Sequence, residues 1–449
     1  MGIEHSSIVE ARLADVFAWH ARPGALQRLS PPWLPGRVRR EADSLADGRA
    51  ELALPGGIVW AAQHDPSGFE PGRAFVDERV DAGLGSIPLA ALRWRHEHRF
   101  EPRGEERTLV HDRVETVVGS RALRPMFVYR HRQLADDLAA HREAAAAPMT
   151  VAVTGASGLI GTALVALLTT GGHDVVRLVR HEPASRGERR WDPDAPAADL
   201  LDGVDAVVHL AGASIFGRLG ERHRRAVRDS RVGPTRKLAE IAATSGVRVF
   251  VSASGIGRYG TDRGSEQLTE AAGAGDDFVA RVVVDWEADA AVAAEGRMRA
   301  VQVRTGLVQS PRGGVLQVLA PLYAAGLGGP LAGGEHWQSW IDLDDLLDIY
   351  LRALTDDRLA GPVNAVAPHP VQQREYAETL ARVLRRPALV PTPALGPRVL
   401  LGRRGADELA LADQRAVPAR LTELGHRFRR PRLEDSLRHQ LGRMREAGR

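Results

Sequence analysis

The chain has 449 residues, of which 44% are hydrophobic and 26% charged, and its formal net charge is only +3. These values are ordinary for a globular protein, and the length predicts two or three domains. The sequence contains no cysteine, which excludes a disulfide framework, a thiolate metal site and a cysteine nucleophile.

The charged groups do not point to a nucleic-acid or membrane partner. Almost all basic residues are arginines interleaved with Asp and Glu, a pattern typical of a solvated surface. The apolar runs are shorter than the roughly 18 residues that a spanning helix needs. The start of the chain has no basic segment followed by an apolar one. We therefore expect a cytoplasmic protein that binds neither nucleic acid nor membrane.

Residues 1–146 predict a separate α+β domain. It begins with an alternating strand at 3–9 and a short helix at 12–20. Six strand-like segments follow, at 38–41, 50–54, 59–64, 74–80, 93–101 and 108–117. A long amphipathic helix at 125–143 then precedes an alanine-rich linker at 144–149. This order predicts a curved antiparallel sheet that grips the last helix.

Tryptophan and histidine side chains stand out in this first domain. Trp33, Trp60 and Trp94 suit the wall of a cavity for an apolar ligand, and they suit a hydrophobic core equally well. His96 and His98 alternate on one face of a strand. That spacing is compatible with a pair of metal ligands, although nothing in the sequence requires a metal there.

The segment T-V-A-V-T-G-A-S-G-L-I-G predicts the start of a nucleotide-binding fold. Its glycines are followed by a helix-forming run at 162–168 and a strand at 174–179, which is the context of a dinucleotide fingerprint. Gly155 permits a tight turn, Gly158 lets the backbone approach a pyrophosphate, and Gly161 lets the helix lie close to the strand. The residues predicted to bind the cofactor here are Gly155, Ser157, Gly158, Leu159, Ile160 and Gly161.

The end of the second strand indicates which dinucleotide binds. NAD-binding proteins usually carry an acidic residue there, which holds the ribose hydroxyls. This strand ends instead in Arg180 and His181. An arginine suits the 2′-phosphate of NADP through charge-assisted hydrogen bonds. NADP is therefore the favoured cofactor, and the alternative is that Arg180 is one more surface arginine and the cofactor is NAD.

Two further apolar strands predict the rest of the cofactor site. Residues 206–210 lead into a small-residue segment against which a ribose and a pyrophosphate can lie. Residues 249–254 end in serines at the carboxyl edge of the sheet, where ligands bind in open α/β folds. The predicted cofactor contacts in these segments are Leu210, Ala211, Gly212 and Ser252.

From residue 149 nearly to its end, the sequence resembles the extended short-chain dehydrogenase/reductase superfamily. Within it, the likeness is to epimerase-family, or nucleoside-diphosphate-sugar epimerase-like, proteins with a C-terminal extension. The stretches that carry it include T-G-A-S-G-L-I-G, D-A-V-V-H-L-A-G-A-S-I, R-D-S-R-V, V-S-A-S-G-I-G-R-Y-G, S-W-I-D-L-D-D and L-A-D-Q-R-A-V-P-A-R-L. The resemblance implies a Rossmann-type, doubly wound parallel α/β sheet over residues 149–449, with a substrate lobe at about 313–449.

Residues 1–146 resemble the START-like helix-grip domains, also called polyketide cyclase/dehydrase-like or SRPBCC domains. The stretches that carry this likeness are F-A-W-H, L-S-P-P-W, W-A-A-Q-H and W-R-H-E-H-R-F. The resemblance implies an α+β fold that encloses a cavity for a hydrophobic ligand.

The superfamily resemblance also implies a catalytic serine. In one respect this sequence differs from the superfamily pattern. Ser254 stands where a serine or threonine hydrogen-bonds the reacting oxygen of the substrate. The usual Tyr and Lys, four residues apart, are missing, because Val282 and Trp286 occupy the matching positions. The only lysine, Lys237, comes before the serine strand. Standard Tyr/Lys chemistry is therefore not expected.

The predicted catalytic residues are Ser254 and Tyr259, which follows in a glycine-rich loop able to fold over the site. With no lysine beside it, Tyr259 is expected to keep a pKa near the ordinary value of about 10 and to act as an acid. Asp285 and Glu287 are alternative proton carriers, or groups on a helix surface. Arg304 suits an anionic substrate group or a structural ion pair.

The sequence is compatible with two functions. The first is an NADP-dependent oxidoreductase or epimerase-like enzyme that acts by hydride transfer on a small carbonyl or sugar-like substrate. The second is a non-catalytic NADP(H)-sensing or regulatory module, which the resemblance links to cell division. The missing Tyr/Lys pair favours the second. The substrate, the ligand of the first domain and the oligomeric state do not follow from the sequence.

Overall fold

The computed structural model describes residues 2–295, 298–390 and 395–444. The chain divides into two compact units. The N-terminal unit comprises residues 1–146, 165–173 and 439–449, and the C-terminal unit comprises 147–164 and 174–438. The first boundary lies within the predicted alanine-rich linker. Among the described residues, every helix is too short or too polar to cross a bilayer.

An antiparallel sheet forms the N-terminal unit. Its strands are β1 (Gly2–Val9), β2 (Arg37–Arg40), β3 (Arg49–Ala53), β4 (Val59–His64), β5 (Ala74–Val80), β6 (Trp94–Pro102) and β7 (Thr108–Thr116). They lie in the order β1-β7-β6-β5-β4-β3-β2, and every neighbouring pair is antiparallel. Its helices are α1 (Leu13–Ala21), α2 (Ala25–Leu29) and α3 (Ser120–Ala144). The predicted antiparallel sheet is confirmed, whereas the helix-grip family assignment stays a prediction.

The long helix α3 packs on this sheet through its apolar side chains. Phe127 is fully buried, and Leu134 and Leu138 are buried with it. Leu134 shares a hydrophobic cluster with Trp19 of α1 and with strand residues that include Phe100. The predicted start of this helix, at Pro125, is wrong, since α3 begins five residues earlier and Pro125 lies inside it. Proline favours the first turn of a helix, which explains the late predicted start.

A parallel sheet forms the C-terminal unit. The strands from here on are β8 (Thr150–Thr154), β9 (Asp174–Val179), β10 (Glu188–Arg190), β11 (Ala206–His209), β12 (Val249–Gly255), β13 (Asp262–Leu268), β14 (Arg299–Thr305), β15 (Leu307–Gln309), β16 (Trp337–Gln338), β17 (Trp340–Asp342), β18 (Gly361–Ala365), β19 (Val371–Gln372) and β20 (Asp413–Ala416). Seven of them make the main sheet, in the order β10-β9-β8-β11-β12-β14-β18, with every pair parallel. The predicted Rossmann-type sheet is confirmed.

Ten further α-helices lie between or after these strands in the described part of the chain. They are α4 (Leu159–Thr170), α5 (Glu221–Asp229), α6 (Pro234–Thr244), α7 (Phe278–Ala291), α8 (Gly314–Ala324), α9 (Leu343–Thr355), α10 (Gln373–Leu384), α11 (Leu395–Gly405), α12 (Ala419–Glu423) and α13 (Leu433–Gln440). The strand order reverses direction between β8 and β11. In open α/β sheets, ligands bind at the carboxyl ends of the strands where this reversal occurs. The candidate site is therefore at the ends of β8, β11 and β12.

Candidate cofactor and active site

The glycine turn after β8 has two glycines that the protein itself requires. Gly155 has a φ of +66°, and a Cβ there would lie 2.9 Å from the Leu210 carbonyl carbon. A Cβ on Gly161 would overlap the carbonyl oxygen of Gly155. Both positions exclude any side chain because backbone atoms occupy the space. These contacts match the steric roles that the sequence predicts for the two residues.

The third glycine, Gly158, is different because a Cβ there would meet a single protein atom. A Cβ there would meet only the Gly155 carbonyl oxygen, at 3.3 Å. Ser157 and Gly158 are exposed, and Leu159 and Ile160 form the first turn of α4. A helix N-terminus directs unpaired N–H groups and positive dipole outward, which suits a phosphate. The protein leaves space at Gly158, and a ligand approaching the backbone would use it.

A buried hydrogen-bond chain holds β11 against this turn. The Thr235 hydroxyl donates to the Arg231 carbonyl at 2.6 Å, so it accepts from His209 Nε2, 3.0 Å away. His209 Nδ1 is then the acceptor for the Thr154 hydroxyl, at 2.8 Å. Burial lowers the pKa of His209 to about 3, with a smaller contribution from Arg231, so the ring is neutral near pH 7.

The same threonine orients the backbone that the cofactor is predicted to touch. Thr154 Oγ1 accepts hydrogen bonds from the backbone N–H groups of Leu210, at 3.0 Å, and Ala211, at 3.1 Å. Because the N–H of Leu210 bonds to a side chain, β11 ends at His209, and the predicted strand end at 210 is wrong by one residue. Sequence reasoning missed Thr154, which carries no signal beyond its place at the strand end.

Removing this hydroxyl should loosen the segment after β11. We expect Thr154→Val to lower the stability of the C-terminal unit by about 3 kcal/mol, because two N–H groups and His209 Nδ1 lose their partner. Hydrogen exchange at Leu210 and Ala211 should accelerate, as measured by mass spectrometry, and the melting temperature should fall. The control is Thr244→Val on the exposed face of α6, where little change is expected. Unchanged exchange at both amides would contradict this role of Thr154.

Gly212 has a cationic neighbour. A Cβ on Gly212 would lie 2.9 Å from Arg231 Cζ. Arg231 donates to the Ala213 carbonyl at 2.9 Å, and its guanidinium lies 5.1 Å from the ring centroid of Trp286. Burial lowers the pKa of Arg231 to about 10. Arg231 belongs to the R-D-S-R-V stretch, yet sequence reasoning gave it no role.

Arg180 follows β9 directly, so it lies at the carboxyl end of the strand that pairs with β8. Its side chain is exposed and makes no ion pair among the described residues. The nearest acid along the chain, Glu182, is paired with Arg190 instead. The residue that directly follows this strand is thus an arginine and not a carboxylate.

The predicted catalytic serine belongs to a buried polar network. Ser254, at the end of β12, donates to Glu287 Oε1 at 2.6 Å. Arg304 binds the same carboxylate through two nitrogens, at 2.7 and 2.8 Å. Ser252, two residues before Ser254, is buried, and its hydroxyl donates to the Ala253 carbonyl at 2.9 Å. Glu287 therefore faces the serine strand. Of the two roles predicted for Arg304, an anionic-substrate contact or an ion pair, the structure shows the ion pair.

Tyr259 lies deeper in the same network. Its side chain is fully buried in a short 3₁₀ helix, and its hydroxyl donates to Asn364 Oδ1 at 2.6 Å. Arg304 in turn donates to the hydroxyl at 3.0 Å. Burial raises the pKa of Tyr259 above its ordinary value, although Arg304 opposes the rise. The expectation of an ordinary pKa is wrong, because the isolated sequence does not show this burial.

Helix α7 carries the two residues that the sequence aligns with the usual Tyr and Lys positions. Val282 and Trp286 are both buried on it. The Trp286 indole Nε1 has no hydrogen-bond acceptor among the described residues. Asp285 lies on the outer side, where it pairs with Arg228, and Lys237 Nζ donates to the Asp194 carbonyl. The structure thus separates the two carboxylates that sequence reasoning left as alternatives, since only Glu287 contacts Ser254.

Comparison with known proteins decides the family. Residues 151–366 match the NAD dependent epimerase/dehydratase family. The epimerase family protein Mb2239 of Mycobacterium bovis is 38% identical over 290 residues, which cover 64% of this chain and 96% of that protein. The chain belongs to the NAD-dependent epimerase/dehydratase family. Residues 392–440 of this epimerase-family protein also match a domain of unknown function, DUF1731.

Two solved structures resemble this epimerase-family protein. One is a nucleoside-diphosphate sugar epimerase from Corynebacterium glutamicum, with 41% identity and a TM-score of 0.87, covering 99% of this chain and 91% of that chain. The other is the human epimerase family protein SDR39U1, solved with NADPH, with 31% identity and a TM-score of 0.59, covering 65% and 99%. The predicted epimerase-family membership is confirmed, whereas the START-like assignment of residues 1–146 stays a prediction.

Proposed function

We propose that residues 149–449 bind NADP(H) and act as an oxidoreductase or epimerase-like enzyme on a small carbonyl or sugar-like substrate. The observation that carries this proposal is the Ser254–Glu287 pair, in which Ser254 ends β12, the strand next to β11, and Glu287 reaches it from α7. A hydroxyl and a carboxylate at this edge provide a route for a proton. We further propose that the N-terminal unit binds a hydrophobic ligand.

The residues around the glycine turn fit a dinucleotide. The open space at Gly158 and the start of α4 suit the pyrophosphate. Arg180 suits a 2′-phosphate. Trp286 aligns with the position that carries lysine in the wider superfamily, and its buried indole Nε1 is a donor with no acceptor among the described residues. That human SDR39U1 was solved with NADPH supports the same cofactor here. When bound, NADPH supplies the hydride.

The proton is the part of the reaction that this chain's own residues handle. Because the Ser254 hydroxyl donates to Glu287, its oxygen can accept a hydrogen bond from a substrate hydroxyl. A proton leaving the substrate can pass to Ser254 as Ser254 passes its own to the carboxylate, and the reverse sequence delivers a proton to a carbonyl. Arg304 orients the carboxylate and holds it in place.

The alternative proposal is a non-catalytic NADP(H)-sensing module. The observation in its favour is the burial of Val282 and Trp286 at the two positions that carry Tyr and Lys in the wider superfamily. A screen distinguishes the two functions. Purified protein is incubated with NADPH and a panel of aldehydes, ketones and nucleotide sugars, and NADPH consumption and product formation are recorded. Turnover of any member supports the enzyme, and tight NADPH binding without turnover supports the sensor.

Arg180 should set the cofactor preference. We expect NADP(H) to bind more tightly than NAD(H) by about 10- to 150-fold, since hydrogen bonds to charged groups contribute about 1.5–3 kcal/mol. Arg180→Asp should reverse the order, because a carboxylate binds the ribose hydroxyls and repels the phosphate. Calorimetry with both cofactors tests this. Arg121→Asp, the same charge change in the N-terminal unit, should leave the preference unaltered, and equal affinities in the parent protein would refute the prediction.

A further inference from the structure

The interior of the N-terminal unit contains a group of ionisable side chains that the proposed NADP chemistry does not use. We call it the His/Asp cluster, and its members are Asp77, His96, His98, Asp112 and His131. The sheet register brings them together, because Asp77 of β5 lies opposite His96 of β6, and His98 lies opposite Asp112 of β7. Helix α3 adds His131. All five residues are at most 8% exposed.

Three atoms of the cluster are spaced like metal ligands. Asp77 Oδ2 lies 3.5 Å from His96 Nδ1 and 3.3 Å from His98 Nε2. All three ligand atoms lie within 4.8 Å of one another. In a tetrahedral site with metal–ligand distances of about 2.0–2.1 Å, neighbouring ligand atoms are about 3.3–3.4 Å apart. The contact of His98 Nε2 with Asp77 is a long hydrogen bond, and both separations to the carboxylate are close to this edge length.

The opposite ring nitrogens are fixed by a second carboxylate. Asp112 Oδ1 lies 3.1 Å from His96 Nε2 and 2.8 Å from His98 Nδ1. Metal-binding histidines commonly donate their other ring N–H to a carboxylate, which sets the tautomer and aims the free nitrogen at the metal. Here one carboxylate does so for both rings, leaving His96 Nδ1 and His98 Nε2 as the two nitrogens that face Asp77.

Further contacts hold Asp112 and the two rings in place. Asp112 Oδ2 accepts from His131 Nε2 at 2.9 Å, and His131 Nδ1 is 2.7 Å from the Ser7 hydroxyl. The His98 ring stacks on Phe75, with centroids 4.1 Å apart and an interplanar angle of 17°. His96 meets the Phe127 ring edge-on at 5.3 Å. The rings are therefore oriented by packing as well as by hydrogen bonds, which limits the reorganisation needed to bind an ion.

We propose that Asp77, His96 and His98 bind a divalent transition-metal ion inside the N-terminal unit, with Asp112 as a positioning residue. Two imidazoles and one carboxylate suit Zn²⁺ or Fe²⁺, whereas Mg²⁺ and Ca²⁺ prefer oxygen ligands. Three protein ligands leave at least one coordination position for water or an oxygen-bearing ligand. The sequence signal was the His96–His98 alternation, and the structure supplies the carboxylates that it lacked.

The test uses the full chain, treated with a chelator and then titrated with Co²⁺ as a spectroscopic substitute for Zn²⁺. We expect one equivalent to bind, with visible absorption typical of four- or five-coordinate cobalt, and Zn²⁺ to displace it. His96→Gln and Asp77→Asn should abolish this absorption at stoichiometric metal. Asp112→Asn should weaken binding by about 10- to 100-fold, as expected for a group that orients ligands. The matched control is His111→Gln, a β7 histidine at the surface beside Ser6, which should bind normally.

Circular dichroism establishes whether each variant folds, because a buried substitution can unfold the domain. Anomalous diffraction from Zn²⁺-soaked crystals of the parent protein needs no variant. A peak between Asp77, His96 and His98 supports the proposal. The proposal is overturned if the folded parent protein shows no peak at saturating Zn²⁺ and binds no stoichiometric Co²⁺, or if folded His96→Gln binds as the parent does. None of these readouts depends on NADPH binding or turnover.

Discussion

Gly158→Val should abolish NADP(H) binding while the protein remains folded. A Cβ at this position meets only one protein atom, the Gly155 carbonyl oxygen, at a close 3.3 Å, so a shift of a few tenths of an ångström should accommodate it. The branched side chain would fill the space proposed for the pyrophosphate and would separate it from the N–H groups at the start of α4. Losing two hydrogen bonds to a charged group, at about 1.5–3 kcal/mol each, predicts a fall in affinity of roughly 100-fold or more.

Calorimetry with NADPH measures the loss, and circular dichroism with a melting curve reports the fold. Gly158→Ala should give a smaller loss than Gly158→Val, because its side chain is a single methyl group. Gly119→Val is the matched control, since Gly119 has an extended backbone and a Cβ there meets nothing within 4 Å. Undiminished NADPH binding by folded Gly158→Val would show that the glycine turn does not bind the pyrophosphate of the cofactor.

Glu287→Gln should lower turnover of any substrate found by about 10²- to 10⁴-fold, the range for a lost acid–base group, with little change in NADPH affinity. Glutamine keeps the shape and one acceptor oxygen, which Ser254 and Arg304 Nε can share, but it loses the second oxygen that Arg304 binds and it does not take up the proton. Ser254→Ala should have an effect of similar size, because it breaks the same route. Asp285→Asn, two residues earlier on the outer side of α7, should leave turnover unchanged.

Tyr259→Phe distinguishes this arrangement from catalysis by the tyrosine. A fully buried hydroxyl that donates to Asn364 does not contact a substrate in this conformation. We therefore expect Tyr259→Phe to reduce stability, because Asn364 Oδ1 loses its donor, and to affect turnover less than Glu287→Gln does. Steady-state rates of both variants, measured beside their melting temperatures, decide the matter. A loss of roughly 100-fold or more in the tyrosine variant alone would restore Tyr259 as the acid.

Local patterns predicted much of the fold. The glycine spacing and the flanking β-branched runs located β8, α4 and β9, because each depends on residues close in sequence. The alternating segments of the first 117 residues located its strands for the same reason. The start of α3 was missed because Pro125, a common first-turn residue, is tolerated inside that helix.

The polar networks could not be predicted, since they join residues distant in sequence. Ser254 and Glu287 are 33 positions apart, and Tyr259 and Asn364 are 105 apart. A single sequence shows that Glu287 is on a helix, but not that its side chain turns toward β12 while Asp285 faces outward. The alternation of His96 and His98 predicted a shared face, but the partners on that face come from other strands and from α3.

The three glycines of the turn are under two kinds of constraint, so we expect different substitutions at them among homologues. Gly155 and Gly161 are demanded by the backbone of the protein, so any descendant that keeps the fold should keep them. Gly158, by contrast, has little contact with the rest of the protein, and in the proposed function it is the pyrophosphate that requires a glycine there. In homologues that no longer bind the cofactor, we therefore expect other residues at this position, whereas Gly155 and Gly161 should be retained. Replacement of the middle glycine alone would identify homologues that keep the fold but have lost nucleotide binding.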